Sequence, residues 1–110
     1  MTRQLWLSLF LLCSAQALAS EPSRARQAEL QNMLKHDCGS CHGLTLKGGL
    51  GPPLLAQDLV NKPDNYLIDT IQNGRKGTAM PPWKPFISEA ETRWLVHDLL
   101  KSPVERTLVR

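Results

Sequence analysis

The chain has 110 residues and a formal charge of +3 at pH 7, of which Arg3 near the N-terminus contributes one unit. This length allows one domain at most, and so small a net charge argues against the strong basic field of a nucleic-acid-binding protein. We therefore expect no nucleic-acid partner.

The first nineteen residues have the pattern of a secretory signal peptide. Arg3 provides the positive start, an apolar run covers residues 5–13, and Ala-Leu-Ala at residues 17–19 forms a cleavage site. The run is shorter than the roughly 20 residues of a membrane span, and an uncleaved anchor is the alternative. We expect cleavage after Ala19, export to a bacterial periplasm, and a single mature domain over residues 20–110 with no stable membrane insertion.

The first helix of the mature chain is predicted over residues 24–37. Ser23 is suited to cap it, because a serine hydroxyl accepts a hydrogen bond from the N–H groups of a first helical turn. Leu30, Met33 and Leu34 recur at helical spacing and form one apolar stripe, while polar residues cover the other faces. This helix leads directly into the next motif.

Residues 38–42 read Cys-Gly-Ser-Cys-His, the signature of c-type haem attachment. On a helical turn, each thiol can add to one vinyl group of a haem, and the histidine then lies beneath the iron. The pattern predicts one covalently attached haem c, joined through Cys38 and Cys41, with His42 as the proximal iron ligand.

A redox disulfide and half of a zinc site are the alternatives for this motif. A zinc site would need two further ligands, but Cys13 lies in the predicted leader, and His36 and His97 form no second pair. A thioredoxin-like motif belongs between strands, and the surrounding sequence shows no strand period. Both alternatives are therefore disfavoured.

Residues 43–53 contain four glycines and two prolines, which predicts an irregular loop. Glycines let the backbone pass close to a haem, and a proline near the histidine can present its carbonyl to the ring nitrogen that is not on the iron. A flexible surface loop is the alternative.

Two more helices are predicted before the next loop. A short one covers about residues 54–60, with Leu55 and Leu59 facing inward. The second starts at Pro63, runs to about Gln72, and ends at an Asn-Gly cap. Its predicted buried face consists of Tyr66, Leu67, Ile68 and Ile71.

Met80 lies in a second irregular loop, residues 74–85, where a core methionine is unexpected. The prolines that follow it hold the backbone extended, so its sulfur can be held against the distal side of the iron. The other methionines lie in the leader and on the first helix. We predict Met80 as the distal iron ligand; a methionine packed on the haem edge, or ligation by His97, are the alternatives.

The final helix is predicted from a capping box, Ser88 with Glu91, to about Lys101. It should pack on the first helix, with Trp94 as the bulky contact. His97 falls towards a partly exposed face. Every predicted element is helical or irregular, so the fold class is all-α.

These motifs together resemble the class I monohaem cytochromes c, over nearly all of residues 20–101. More narrowly, the runs 35–54 and 77–83 resemble the cytochrome c-55X group of denitrification gene clusters. The resemblance implies a class I cytochrome c-like fold, with the haem in a crevice between the first and last helices. It also implies that Pro52 is the proline whose carbonyl meets His42.

We expect a one-electron carrier and not an enzyme, because an iron with two axial ligands has no open position for a substrate. The resemblance implies a periplasmic electron carrier that can reduce the haem c and haem d nitrite reductase, and we expect it to be a monomer. Its electrons would come from a membrane quinol-oxidising complex or another cytochrome. The alternative is a haem sensor, or an accessory protein in haem d maturation, from whose iron Met80 is displaced. Cations near the two loops could steer an acidic partner: Lys47, Arg75, Lys76 and Lys84.

Overall fold

The computed structural model describes residues 21–101, and within this range it contains helices and irregular loops but no strand. The all-α prediction is thereby confirmed. The predicted leader, its cleavage site after Ala19 and Cys13 lie outside the described residues. No helix among residues 21–101 has the length and apolar character needed to cross a membrane.

The first helical segment is longer than predicted and contains a wider turn. Helix α1 spans Arg24–Met33, a π-helical turn follows over Leu34–Cys38, and α2 spans Gly39–His42. The N–H of Gly39 donates to the carbonyl of Leu34, five residues back, so the chain stays helical into the motif. Ser23 caps α1 as predicted, because its Oγ accepts from the N–H of Arg26 at 3.2 Å.

Two helices separate the two loops. Helix α3 spans Ala56–Leu59, and α4 spans Asp64–Asn73, directly after Pro63. Gly74 ends α4 with a φ of +66°, a left-handed conformation that favours glycine. The predicted buried face of α4 is only partly right, because Ile68 is buried whereas the Tyr66 side chain is 41% exposed.

Helix α5 spans Glu89–Leu100 and begins at the predicted capping box. The N–H of Glu91 donates to Ser88 Oγ at 3.1 Å, and the N–H of Ser88 donates to Glu91 Oε2 at 3.0 Å. Two exposed N–H groups of the helix start are thus satisfied by side chains. The helix ends one residue before the predicted end at Lys101.

The apolar core joins α1, the π turn, α3 and α5 with one residue from the glycine loop, residues 43–53, and one from the chain before α5. Trp94 packs half-buried against it from α5, as expected, and Trp83 does so from the methionine loop, residues 74–85. The core thus connects the first helix, the last helix and both loops. Its buried members are Leu30, Leu34, Leu46, Leu59, Ile87, Leu95 and Leu99.

A buried polar contact joins the end of α4 to the start of α5. Gln72 Nε2 donates to the carbonyl of Ile87 at 3.1 Å and also to Thr92 Oγ1. Both side chains are buried, and Thr92 Oγ1 in turn donates to the carbonyl of Ser88 at 2.8 Å. Because buried polar groups are costly without partners, this network fixes where the methionine loop leaves and rejoins the helices.

An ion pair joins α1 to α5. Arg26 Nε donates to Glu91 Oε1 at 2.9 Å, and Arg26 Nη2 donates to Glu91 Oε2 at 3.2 Å. Hydrogen bonds from Arg26 hold the pKa of the Glu91 carboxyl below its ordinary value, and the backbone N–H of Ser88 contributes in the same direction. Glu91 therefore serves both the cap of α5 and the packing of the first helix on the last.

Replacing Glu91 with Gln should lower the free energy of unfolding at neutral pH, because a neutral amide pairs less strongly with Arg26. The folded-state pKa of Glu91 is lowered, so its stabilisation is complete above the ordinary value of 4.5 and is lost as the pH falls through the folded value. Denaturant unfolding should therefore show a difference in the free energy of unfolding between wild type and variant that disappears at acid pH.

Glu89→Gln is the control, because Glu89 pairs with Arg93 on the surface of the same helix at 3.0 Å. A surface pair of this kind contributes about 0.3–0.5 kcal/mol, so its loss should be small. Equal unfolding free energies for wild type and Glu91→Gln at neutral pH would contradict the role given to the pair.

Candidate haem site

The two motif cysteines lie on consecutive helical turns, Cys38 at the end of the π turn and Cys41 in α2. Both are free, half-buried thiols. Burial, with a contribution from the charge of Asp37, raises the pKa of the Cys38 thiol to about 11. Neither sulfur is used in a disulfide bond, so both have the form that thioether attachment requires.

The ring of His42 is held by a backbone carbonyl. Its Nδ1 lies 2.7 Å from the carbonyl oxygen of Pro52. A carbonyl can only accept, so Nδ1 carries the proton and donates it, which leaves the lone pair of Nε2 for a metal. The chemistry of this donor set fits an axial haem ligand, because such outer contacts fix the tautomer and strengthen the ligand.

The glycine loop folds back on the motif through backbone hydrogen bonds. The N–H of Gly48 donates to the carbonyl of His42, and the N–H of Gly51 donates to the carbonyl of Cys41, each at 2.8 Å. A Cβ on Gly51 would lie 2.9 Å from Cε1 and Nδ1 of the histidine ring. Only glycine at this position lets the loop carry Pro52 up to the ring.

The methionine loop is closed by its own backbone. The N–H of Trp83 donates to the carbonyl of Ile71 at 2.9 Å, so the chain returns to the last turn of α4. Nearer its tip, the N–H of Arg75 donates to the carbonyl of Met80 at 3.2 Å. A Cβ on Gly74 would lie 2.6 Å from the same carbonyl oxygen. The place of Met80 is therefore set by residues 74 and 75.

Within residues 21–101, His42 and Met80 belong to separate hydrogen-bonded loops with no hydrogen bond between them. If both residues held one haem iron, they would need no contact with each other. Met80 is half-buried and remains a candidate distal ligand. His36 and His97 are exposed, and His97 Nε2 lies 3.1 Å from Asp64 Oδ2.

Two open grooves of about 700 and 710 Å³ lie elsewhere on the described surface, one between α1 and α5 and one between α4 and α5. Neither is lined by Cys38, Cys41, His42 or Met80. These grooves are therefore not candidates for the haem site.

Sequence reasoning missed two residues that position the candidate ligands. Gly51 was counted only as one glycine of a loop, but its missing side chain makes room for His42. No role was predicted for Thr78, although its Oγ1 accepts a hydrogen bond from the N–H of Met80 at 3.3 Å. Their roles depend on close approach across a loop, for which the only sequence signal is the density of glycine and proline.

Comparisons with known proteins agree on one class. Residues 25–97 match the family described as cytochrome c oxidase, cbb3-type, subunit III. A protein called cytochrome c55X from Paracoccus denitrificans is 44% identical, over 88% of this chain and 94% of its own length. The cytochrome c55X of Pseudomonas aeruginosa is 47% identical, over 91% of this chain and 87% of its own length.

A solved structure has the same fold. The c-type cytochrome NirC is 48% identical, superposes with a TM-score of 0.71, and covers 72% of this chain and 93% of its own. Together with the helical architecture, this confirms the class I cytochrome c fold that the sequence predicts. Membership of such a family implies covalently bound haem c.

Replacing Gly51 with Ala should disturb haem ligation, because the new Cβ would force either the His42 ring or the loop to move. Loss of an outer contact like that of Pro52 weakens metal binding by about 10- to 100-fold. The visible spectra of the oxidised and reduced exported protein, and the ratio of haem to protein absorbance, measure the effect.

Gly39→Ala is the matched control inside the motif. A Cβ at Gly39 would have no neighbour nearer than 3.4 Å, and its backbone is helical with a φ of −63°. A Gly51→Ala protein with the wild-type spectrum and haem content would show that the ring does not depend on this close approach.

Proposed function

The chain belongs to the cytochrome c family, alongside the proteins called cytochrome c55X, and from this premise we propose that it is a periplasmic one-electron carrier with a single covalent haem c. The observation that carries the proposal is the 2.7 Å contact between His42 Nδ1 and the Pro52 carbonyl oxygen. It fixes the ring of a histidine that directly follows the second of two free cysteines, as ligation of a haem iron by His42 would require.

Cys38 and Cys41 provide the attachment. Each S–H would add across one vinyl group, the sulfur bonding to one carbon and the proton going to the other. The helical turn that separates the two cysteines also places His42 one residue beyond the second thioether. Attachment and ligation thus come from a single short segment, whose orientation is fixed by the backbone bonds of the glycine loop.

His42 and Met80 supply the two axial ligands in this proposal. A bound haem c supplies a ferric and ferrous couple, which exchanges one electron. The Pro52 carbonyl draws on the Nδ1 proton and makes Nε2 a stronger donor, while a methionine sulfur favours the ferrous form and raises the potential. With both positions filled by protein, no position is left for a substrate, which suits a carrier.

The proposed partners are redox proteins. We place the haem c and haem d nitrite reductase of denitrification as acceptor, and a membrane quinol-oxidising complex or another cytochrome as donor. The resemblance to proteins of denitrification gene clusters supports this assignment. In this proposal the chain is exported, cleaved after Ala19, and works as a monomer.

The methionine loop carries exposed cations on either side of Met80. Lys76 and Lys84 belong to no ion pair among residues 21–101, where the ion pairs are formed by Arg26, Arg93 and His97. Unpaired surface cations beside a ligand loop would attract a partner with an acidic rim and speed its encounter.

Replacing Met80 with Ala tests the ligand assignment. The wild-type ferrous protein should be low-spin and should not react with carbon monoxide, because a bound sulfur occupies the sixth position. The variant should be high-spin and should bind carbon monoxide. Visible absorption of the oxidised and reduced proteins, with and without the gas, measures both properties.

Met33→Leu is the control, since Met33 packs half-buried against the core and is not a proposed ligand. Its spectrum should equal that of the wild type. If the wild type itself binds carbon monoxide at neutral pH, Met80 is absent from the iron or readily displaced. The alternative function, a haem sensor or an accessory protein in haem d maturation, would then be favoured.

Reversing the charges of Lys76 and Lys84 together to Glu should slow electron transfer to the nitrite reductase at low ionic strength by about tenfold, the lower end of steering effects. The rate of the variant should also depend less on salt. Stopped-flow oxidation of the reduced cytochrome over a range of salt concentrations measures this.

The control double variant, Lys35→Glu with Lys101→Glu, changes the net charge equally. Both of its sites line the groove between α1 and α5, away from the methionine loop. A rate and a salt dependence unchanged in the Lys76 and Lys84 variant, or changed equally in the control, would contradict steering by this surface.

A further inference from the structure

Arg75 is the backbone anchor of the methionine loop. Its N–H donates to the carbonyl of Met80, and its own carbonyl accepts from Thr78 Oγ1 at 2.7 Å and from the N–H of Thr78 at 3.2 Å. Thr78 Oγ1 in turn accepts from the N–H of Met80 at 3.3 Å. The carbonyl of Met80 is therefore hydrogen-bonded to Arg75 directly, and its N–H is linked to Arg75 through Thr78.

The side chain of Arg75 reaches back to α4. Its guanidinium carbon lies 5.7 Å from the ring centroid of Tyr66, within the range of a cation–π contact. In the described part of the chain, Arg75 forms no ion pair. The aromatic ring is thus the group against which this side chain is held.

Tyr66 lies at the surface beside two cations and is not a core residue. Its side chain is 41% exposed, and Lys62 Nζ lies 5.9 Å from the same ring. The ring lies in the first turn of α4, a helix that Gln72 joins to α5 through its hydrogen bond to Thr92. It therefore offers the methionine loop a contact on a part of the molecule that is itself fixed.

We propose that Tyr66 is a positioning residue for the distal iron ligand: through its cation–π contact with Arg75 it holds the loop in the conformation that presents Met80. The inference rests on the proposed function, because it assumes Met80 ligation. An exposed cation–π contact shifts an equilibrium by about two- to fivefold. Loss of the ring should favour, by that factor, the state in which Met80 has left the iron.

The test is imidazole binding to the ferric holoprotein, because imidazole can bind only where Met80 leaves. Tyr66→Leu should bind imidazole about two- to fivefold more tightly than wild type. Tyr66→Phe keeps the ring and should behave as wild type. Arg75→Ala keeps every backbone bond of the loop and should match Tyr66→Leu.

The double variant, Tyr66→Leu with Arg75→Ala, should equal either single variant, because both remove one contact. The proposal would be overturned by additive effects in the double variant or by a wild-type imidazole affinity in Tyr66→Leu. It would also be overturned if Tyr66→Phe bound imidazole as tightly as Tyr66→Leu. Lys62→Ala should leave imidazole affinity unchanged; a Tyr66→Leu-like effect there would assign the role to Lys62.

Met80→Ala distinguishes a failure of the proposed Met80 ligation from a failure of the role of Tyr66. If it binds imidazole exactly as strongly as wild type, Met80 is not the ligand, and both the proposed ligation and this inference fail. If it binds imidazole far more tightly while Tyr66→Leu matches wild type, only the role of Tyr66 fails.

Discussion

The contact between His42 Nδ1 and the Pro52 carbonyl is the constraint on which the conformation of the glycine loop depends. To make it, the chain must leave α2, turn, and return within ten residues to the ring it has just passed. Backbone bonds from Gly48 and Gly51 hold that return, and a side chain at Gly51 would meet the ring. The glycine and proline content of this loop therefore follows from orienting one imidazole.

The methionine loop packs on the same core but is held by different contacts. Its loop is closed by its own backbone, leaves α4 at Gly74, and rests on helices joined by Gln72 and Thr92. Each candidate ligand thus has its own support, and neither loop depends on hydrogen bonds from the other. In the proposed function this independence matters, because ligands that stay in place when the iron changes charge keep the rearrangement on electron transfer small.

Local signals predicted most of the fold. The caps at Ser23 and Ser88 and the loop boundaries depend on residues within one turn, which a sequence displays directly. The π turn before the motif was missed, because a bond between residues five apart leaves no periodic signature. Helical spacing alone places Tyr66 in the core, whereas its ring is exposed and lies beside two cations outside that helix, Lys62 and Arg75. The buried pairing of Gln72 with α5 depends on long-range packing, which no local pattern encodes.

The central claim is that one haem is joined to the chain through Cys38 and Cys41. Mass spectrometry of the purified exported protein under denaturing conditions tests it most directly. The account predicts a chain beginning at Ser20 that carries one haem, with the added mass on the proteolytic fragment containing both cysteines. A mature chain without added mass, or haem lost on denaturation, would contradict it.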